Sequence, residues 1–301
     1  MRSRQQWLSL IAKGFAMGSA DLVPGVSGGT IAFITGIYNE LIETIAALGP
    51  RTIKDLFKIG VVETWRKYNL GFLVALVSGI ALAVLVLSNT IHHFQVENPE
   101  ELRSFFVGLV IASTPIIFRS ISNKSFRNYT WCSIGIVLAL VITSLPPSVQ
   151  TNSPLFIALS GAIAISAMLL PGISGSFILL ILGAYSPVIA ALAGFDFVII
   201  IAFLFGVIGG LLAFSRVLKK VLENHRDLTL SLLLGFMIGA LHVLWPWREN
   251  VTELYTHSDG RIEWITAKVL PTGDFYEVAI VAIWAIVGAI VVTALDKLSN
   301  R

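Results

Sequence analysis

Apolar residues fill this chain in long runs, and two of the runs are interrupted in the same way. Six are unbroken, at about 70–89, 104–118, 131–149, 197–215, 228–245 and 277–295. Each predicts a helix able to cross a hydrocarbon core about 30 Å thick, the shortest with help from its flanks. The other two, 7–48 and 155–194, each carry a Pro-Gly-x-Ser-Gly break. Trp7 to Leu22 predicts a helix that stops before Val23-Pro24, because proline lacks an N–H and pushes the residue before it out of the α region. Gly25, Gly28 and Gly29 permit a tight reversal. A second helix, capped by Ser27 or Gly28, is expected to continue through Ile31 to about Leu48 and to turn polar at Asn39, Glu40 and Glu43.

The second break repeats the first 147 positions later. That offset pairs Gly14 with Gly161, Ser19 with Ser166, Ser27 with Ser174, Gly28 with Gly175, Gly36 with Gly183 and Tyr38 with Tyr185. The chain therefore reads as two homologous halves, 1–150 and 151–301.

Loop charge sets the expected topology, since lysine and arginine concentrate on the cytoplasmic side. The segment 51–68 carries Arg51, Lys54, Lys58, Arg66 and Lys67, and the N-terminus carries Arg2, Arg4 and Lys13. Both ends of the first broken run then lie on one side, so 7–48 is expected to be a re-entrant hairpin entering from the cytoplasm. The loop 92–103, with Glu97, Glu100 and Glu101, reads outside, and the loop with Arg119, Lys124 and Arg127 reads inside. Arg216, Lys219, Lys220 and Arg226 read inside, whereas 247–276, where acids outnumber bases, reads outside. The second run, 155–194, must then be a hairpin entering from outside. Each half has one hairpin and three spans, an odd number of crossings, so the halves are inverted relative to each other. The fold class expected is an all-α polytopic membrane protein with both termini cytoplasmic.

Composition agrees: 55% of the residues are hydrophobic and 13% charged, outside the range of soluble domains. The net charge of +3 resides in topology-setting loops and implies no nucleic acid partner. Cys132 is the single cysteine, which rules out an intrachain disulfide and argues against a metal cluster. The basic start, Met1 to Lys13, lacks a small-residue cleavage site and reads as a retained first segment. No cofactor is expected beyond a coupling proton or Na⁺.

The chemistry lies at the two breaks. Non-helical backbone at mid-membrane depth must be buried in protein or line a wet cavity, and helix N-termini there offer N–H groups to an anion. The candidate phosphate-binding residues are Ser27, Gly28, Gly29 and Thr30 in one tip and Ser174, Gly175 and Ser176 in the other. Pro24, Gly25, Pro171 and Gly172 make the breaks. The plainer alternative is that these small residues only permit close helix packing. Asp21 is the one carboxylate deep in a hairpin, with Met168 as its counterpart. It is a candidate either for coupling or for capping the break. Lys13 lies eight residues earlier on about the same face and could approach the site, though snorkelling to the cytoplasmic surface is the expectation. Glu40 and Glu43 read as a solvated rim, Arg119 and Arg216 as positive anchors, and His242 with Trp245 and Trp247 as part of an interfacial belt. Gly25-Val26-Ser27-Gly28 also resembles the motif of rhomboid-type intramembrane proteases, with His242 as the histidine inside an expected span. A nucleophile duplicated in inverted orientation has no use in a protease.

Gly18-x-Ala20-Asp21-x-Val23-Pro24-Gly25-Val26-Ser27-Gly28-Gly29-Thr30, then Gly36-Ile37-Tyr38, with Pro171-Gly172-Ile173-Ser174-Gly175 and Gly183-x-Tyr185, resembles the PopT-type bacterial polyprenyl-phosphate translocases. The resemblance covers essentially the whole chain. It implies return of undecaprenyl phosphate from the outer to the inner leaflet of the bacterial cytoplasmic membrane. Composition and spacing by themselves reach only an inverted-repeat transporter with an anion site, and leave a soluble anion open as substrate.

Overall fold

The computed structural model describes residues 2–23, 25–146, 148, 151–256, 262–271 and 274–299. The first broken run forms α1 (Arg4–Asp21), α2 (Gly28–Ile34) and α3 (Tyr38–Ala47). Two short helices follow, α4 (Pro50–Lys58) and α5 (Val61–Lys67), then α6 (Leu70–Glu97), α7 (Pro99–Arg119) and α8 (Phe126–Thr143). The second half repeats the order with α9 (Pro154–Leu169), α10 (Gly175–Ile181), α11 (Tyr185–Gly194), α12 (Phe197–Asn224) and α13 (Arg226–Ala240). An antiparallel pair, β1 (Arg248–Thr256) and β2 (Ile262–Lys268), precedes α14 (Phe275–Ser299).

Among the described residues, five helices, α6, α7, α8, α12 and α14, are long and apolar enough to span a membrane. Their outward faces carry bare apolar side chains such as Leu85, 81% exposed, and Phe205, 78% exposed. Water would not tolerate so much apolar surface, and lipid does. The chain is a mostly helical, multi-pass membrane protein.

Several boundaries differ from expectation. The sixth expected span is only the 15-residue α13, which ends at Ala240 instead of 245. α8 stops at Thr143, three residues before Pro146. Pro146 just downstream of α8 biases the chain out of the helix there. α6 and α12 have 28 residues each, or about 42 Å, and so overrun the hydrocarbon. The helix expected from Ser27 to Leu48 is two helices, because Gly36 sits at φ +73°. Gly183 does the same at φ +68°, and α10 and α11 meet there at 105°. Gly25 and Gly172, at φ +84° and +92°, make the first bend of each run. Only glycine takes this left-handed backbone without strain.

Small residues decide which helices touch. A Cβ added to Gly79 of α6 would lie 2.1 Å from the Ile11 carbonyl oxygen, and one on Gly206 of α12 would lie 1.8 Å from that of Ala158. Reciprocally, Gly14 abuts the Leu76 carbonyl and Gly161 the Phe203 carbonyl. The same correspondence joins the remaining spans: Gly108 abuts Ala285 and Gly288 abuts Phe105, as Gly235 abuts Cys132 and Gly135 abuts Leu232. Van der Waals contact of bare backbones is the principal attraction left to helices in lipid, so these glycines fix the pairs α1–α6, α9–α12, α7–α14 and α8–α13.

Along α1–α6 the contacts advance together, from Trp7 at Gly71 to Gly18 at Ile80 and Ala83, so the two helices run parallel. α9 and α12 do likewise, with Ala158 at Gly206 and Ala162 at Gly210. Between α3 and α12 the halves part company. α3 packs on α12, and Arg216 donates to the carbonyls of Ala46 and Leu48 at the end of α3. The matching contact, α11 on α6, has no comparable packing among the described residues.

Candidate functional site

The two breaks meet. Ser27 caps α2, its Oγ accepting the Gly29 N–H at 3.1 Å and donating to the Met168 carbonyl at 3.2 Å. Thr30 Oγ1 accepts the Gly172 N–H at 2.9 Å, and the Tyr38 hydroxyl donates to the Leu169 carbonyl at 2.9 Å. Met168 and Leu169 end α9, where helix carbonyls have lost their own partners. Hydroxyls from the first half thus close a helix of the second. Ser27, Thr30 and Tyr38 are all buried.

Asp21 closes the first tip from within its own half. Its Oδ1 accepts the Gly28 N–H at 2.7 Å, placing a carboxylate at the start of α2. In this conformation the Gly28 and Gly29 N–H groups therefore both have acceptors inside the protein. The second tip is built differently: Met168 stands over Gly175, no side chain caps α10, and the Ser174 and Ser176 hydroxyls bond each other at 2.8 Å. Ser176 is exposed, whereas Ser174, Gly175, Pro171 and Gly172 are buried. Pro24 lies outside the described residues.

Other expected residues are placed as follows. Lys13 reaches inward, donating from Nζ to the Thr35 carbonyl at 2.8 Å at the end of α2, where a cation suits the helix dipole. Expectation had it at the surface. The carbonyl it meets was freed by the unforeseen break at Gly36. Glu40 accepts from Arg2 and, at 2.6 Å, from Asn69 Nδ2, so it is tied down instead of being only a solvated rim. The signal for the second break was available, because Gly36 and Gly183 are themselves a repeated pair. Gln95, which sequence reasoning missed, donates to the Leu22 carbonyl at 2.8 Å beside the first tip. Ser27 hydrogen-bonds no histidine. His242 instead lines a cavity of about 270 Å³ with Thr143, Phe177, Val243, Arg248, Thr266 and Lys268. No group of three or more His, Cys, Asp or Glu is placed to hold a metal among the described residues.

Apolar spans packed glycine to backbone, with two interrupted helices meeting inside them, define a polytopic helical membrane protein. Residues 17–262 match the model of a family described as undecaprenyl phosphate translocase-like. A polyprenyl-phosphate transporter of Vibrio cholerae serotype O1 is 44% identical, over 82% of this chain and 80% of its own. A polyprenyl-phosphate transporter of Staphylococcus aureus is 34% identical, over 80% of this chain and 87% of its own. No solved structure gives a significant match. The chain belongs to the undecaprenyl phosphate translocase-like family. It is a membrane transporter by family.

Proposed function

We propose that this protein moves undecaprenyl phosphate, or a closely related polyprenyl phosphate, from the outer to the inner leaflet of the cytoplasmic membrane. The observation that carries this reading is the meeting of the two interrupted helices through Ser27, Thr30 and Tyr38. The phosphate dominates the cost of crossing, while the polyprenyl tail can stay in lipid. A polar seam between the halves lowers that cost. In this reading α1–α3 and α9–α11 are re-entrant hairpins of inverted repeats, entering from the cytoplasm and from outside respectively. The parallel course of α1 with α6, and of α9 with α12, supports it, because each requires the chain between them to return to its starting side. The lysine- and arginine-rich loops support cytoplasmic termini.

The headgroup is held at the tips by Ser27, Gly28, Gly29 and Thr30 with Ser174, Gly175 and Ser176, and the tips alternate between two arrangements. Gly28 and Gly29 can serve a phosphate only when Asp21 and Ser27 give up their N–H groups. Asp21 therefore both organises the closed tip and couples its opening to a proton or Na⁺. The packing of α3 on α12, without an equivalent of α11 on α6, fits a state closed toward the cytoplasm.

Native mass spectrometry of the purified protein with undecaprenyl phosphate or undecaprenol tests the substrate, and a proteoliposome assay of lipid-phosphate sidedness tests movement. Wild type should retain only the phosphate and move it between leaflets, and Ser27→Ala/Ser174→Ala should lose both activities. Equal retention of the two lipids would overturn the reading.

A further inference from the structure

At the end of the bundle opposite α4 and α5, the β-hairpin sets two cations against each other. Arg248 and Lys268 are direct cross-strand partners, a pairing that like charges make unfavourable. Neither bonds a carboxylate among the described residues. Arg248 donates to the carbonyls of Val243 at 2.6 Å and Thr266 at 3.2 Å, leaving its buried Nε without a partner. Lys268 Nζ is also buried and has no hydrogen-bond partner. A lysine carries three donors, and leaving all three buried and unmatched is costly. Arg103, at the start of α7, reaches the same end and donates to the Pro246 carbonyl at 3.0 Å. Glu100, one turn back on α7, is the acid whose field acts on it.

Arg248 and Lys268 border a space. The cavity of about 270 Å³ is lined by Arg248, Lys268, His242 and Thr266, and also by Phe177, the residue after Ser176 in the second tip. Val243, on the same wall, presses on Gly25 of the first tip. The space therefore lies between the β-hairpin and residues that adjoin both breaks. Trp245 and Trp247, next along the chain, pack tilted at 58° with centroids 5.5 Å apart, and tryptophans are enriched at the level of lipid headgroups.

We propose that this basic cavity is a second phosphate site, a vestibule in which Lys268 and Arg248 capture the headgroup of a polyprenyl phosphate before it reaches the hairpin tips. The chemistry it recognises is a phosphate monoester, with Lys268 Nζ and Arg248 Nε as the donors that lack partners. The inference rests on the transport reading for the identity of the lipid, and on the cavity itself for the anion. It also explains why two cations face each other with no bonded acid among the described residues: the ligand is the missing counter-charge.

The test uses the full-length protein in detergent and reads thermal shift and lipid retention. The probes are undecaprenyl phosphate, undecaprenol, inorganic phosphate, and chloride at matched ionic strength, for wild type, Lys268→Met and Lys268→Arg. Lys268 Nζ makes no hydrogen bond among the described residues, so replacing the side chain removes no bond of the fold. Undecaprenyl phosphate should stabilise wild type and Lys268→Arg, and inorganic phosphate should do so at higher concentration. Lys268→Met should weaken both by about tenfold to a hundredfold, the value of one hydrogen bond to a charged group. Chloride and undecaprenol should give no such shift. A response to inorganic phosphate alone would keep the anion site and reject the lipid as its source. Unchanged retention in Lys268→Met, with loss in Ser27→Ala/Ser174→Ala, would overturn the vestibule and leave the tip reading intact. Loss of retention in neither would overturn both.

Discussion

Thr30 and Gly172 hold the two halves of this transporter together at their breaks, the threonine hydroxyl accepting the glycine N–H at 2.9 Å from 142 residues away. Thr30 is 1% exposed, so water cannot replace it. Thr30→Val keeps the shape and removes the acceptor, leaving a buried N–H unmet. The expected cost is about 1–3 kcal/mol, seen as a lowered melting temperature of the purified protein. Thr30→Ser restores the acceptor and should recover most of the loss. If valine were as stable as serine there, the bond between the tips would have no weight.

The paired glycines predict a sharp contrast within one helix. A methyl on Gly206 meets the Ala158 carbonyl oxygen at 1.8 Å, and backbone cannot rotate away. Gly206→Ala must push α9 and α12 apart, at or beyond the upper end of the about 1–3 kcal/mol usual for overpacking. Three residues on, Gly209 has nothing within 4 Å of an added methyl. Gly209→Ala should be neutral or stabilising by up to about 1 kcal/mol, since alanine favours helix. Gly79→Ala should behave as Gly206→Ala does, because Gly79 occupies the equivalent place against Ile11. Thermal unfolding of the three variants in detergent checks the set.

Much of this was legible in the sequence, for identifiable reasons. The unbroken spans show in bulk hydropathy, and the first bends at Gly25 and Gly172 show in the Pro-Gly dipeptides. The second bends, at Gly36 and Gly183, have no proline, and the apolar run continues through them. Only their shared place in the repeat marks them. Lys13 could not be placed without that bend, since the Thr35 carbonyl it caps would have been inside a helix. Ser27 was read as a cap of α2, but its bond to Met168 crosses 141 residues and depends on how the halves dock. Arg248 and Lys268 were lost in a loop read by its excess of acids, because strand pairing, not composition, sets them face to face.

Asp21 separates two roles by substitution. Asparagine can still accept the Gly28 N–H through its side-chain oxygen, so Asp21→Asn should keep the tip closed and the stability within about 0.5 kcal/mol of wild type. It cannot take up a proton or balance Na⁺. Transport in proteoliposomes should then lose its response to an imposed pH or Na⁺ gradient while lipid retention persists. Asp21→Leu also removes the acceptor and should destabilise the protein by about 1–3 kcal/mol. A gradient response surviving in Asp21→Asn would place coupling elsewhere.

Lys268 gives the protein a pH dependence whose sign follows from its surroundings. Burial, and then Arg248 beside it, lower its pKa from 10.5 to about 8. Between about 8 and 10.5 the folded chain has released this proton while the unfolded chain still holds it, so this residue makes stability rise with pH across that window. Below 8 the penalty of the buried charge is fully present. Lys268→Met should therefore melt higher than wild type at pH 7, with the difference shrinking between pH 8 and pH 10.5. Phosphate binding should run the other way, because only the ammonium form attracts the anion. Retention of undecaprenyl phosphate should fall as pH rises through about 8 in wild type and stay flat over that range in Lys268→Arg, whose guanidinium remains charged. Paired melting and retention measurements at pH 7, 8 and 9 read both signs. Retention that falls equally in the arginine variant would assign the titration to a group other than Lys268.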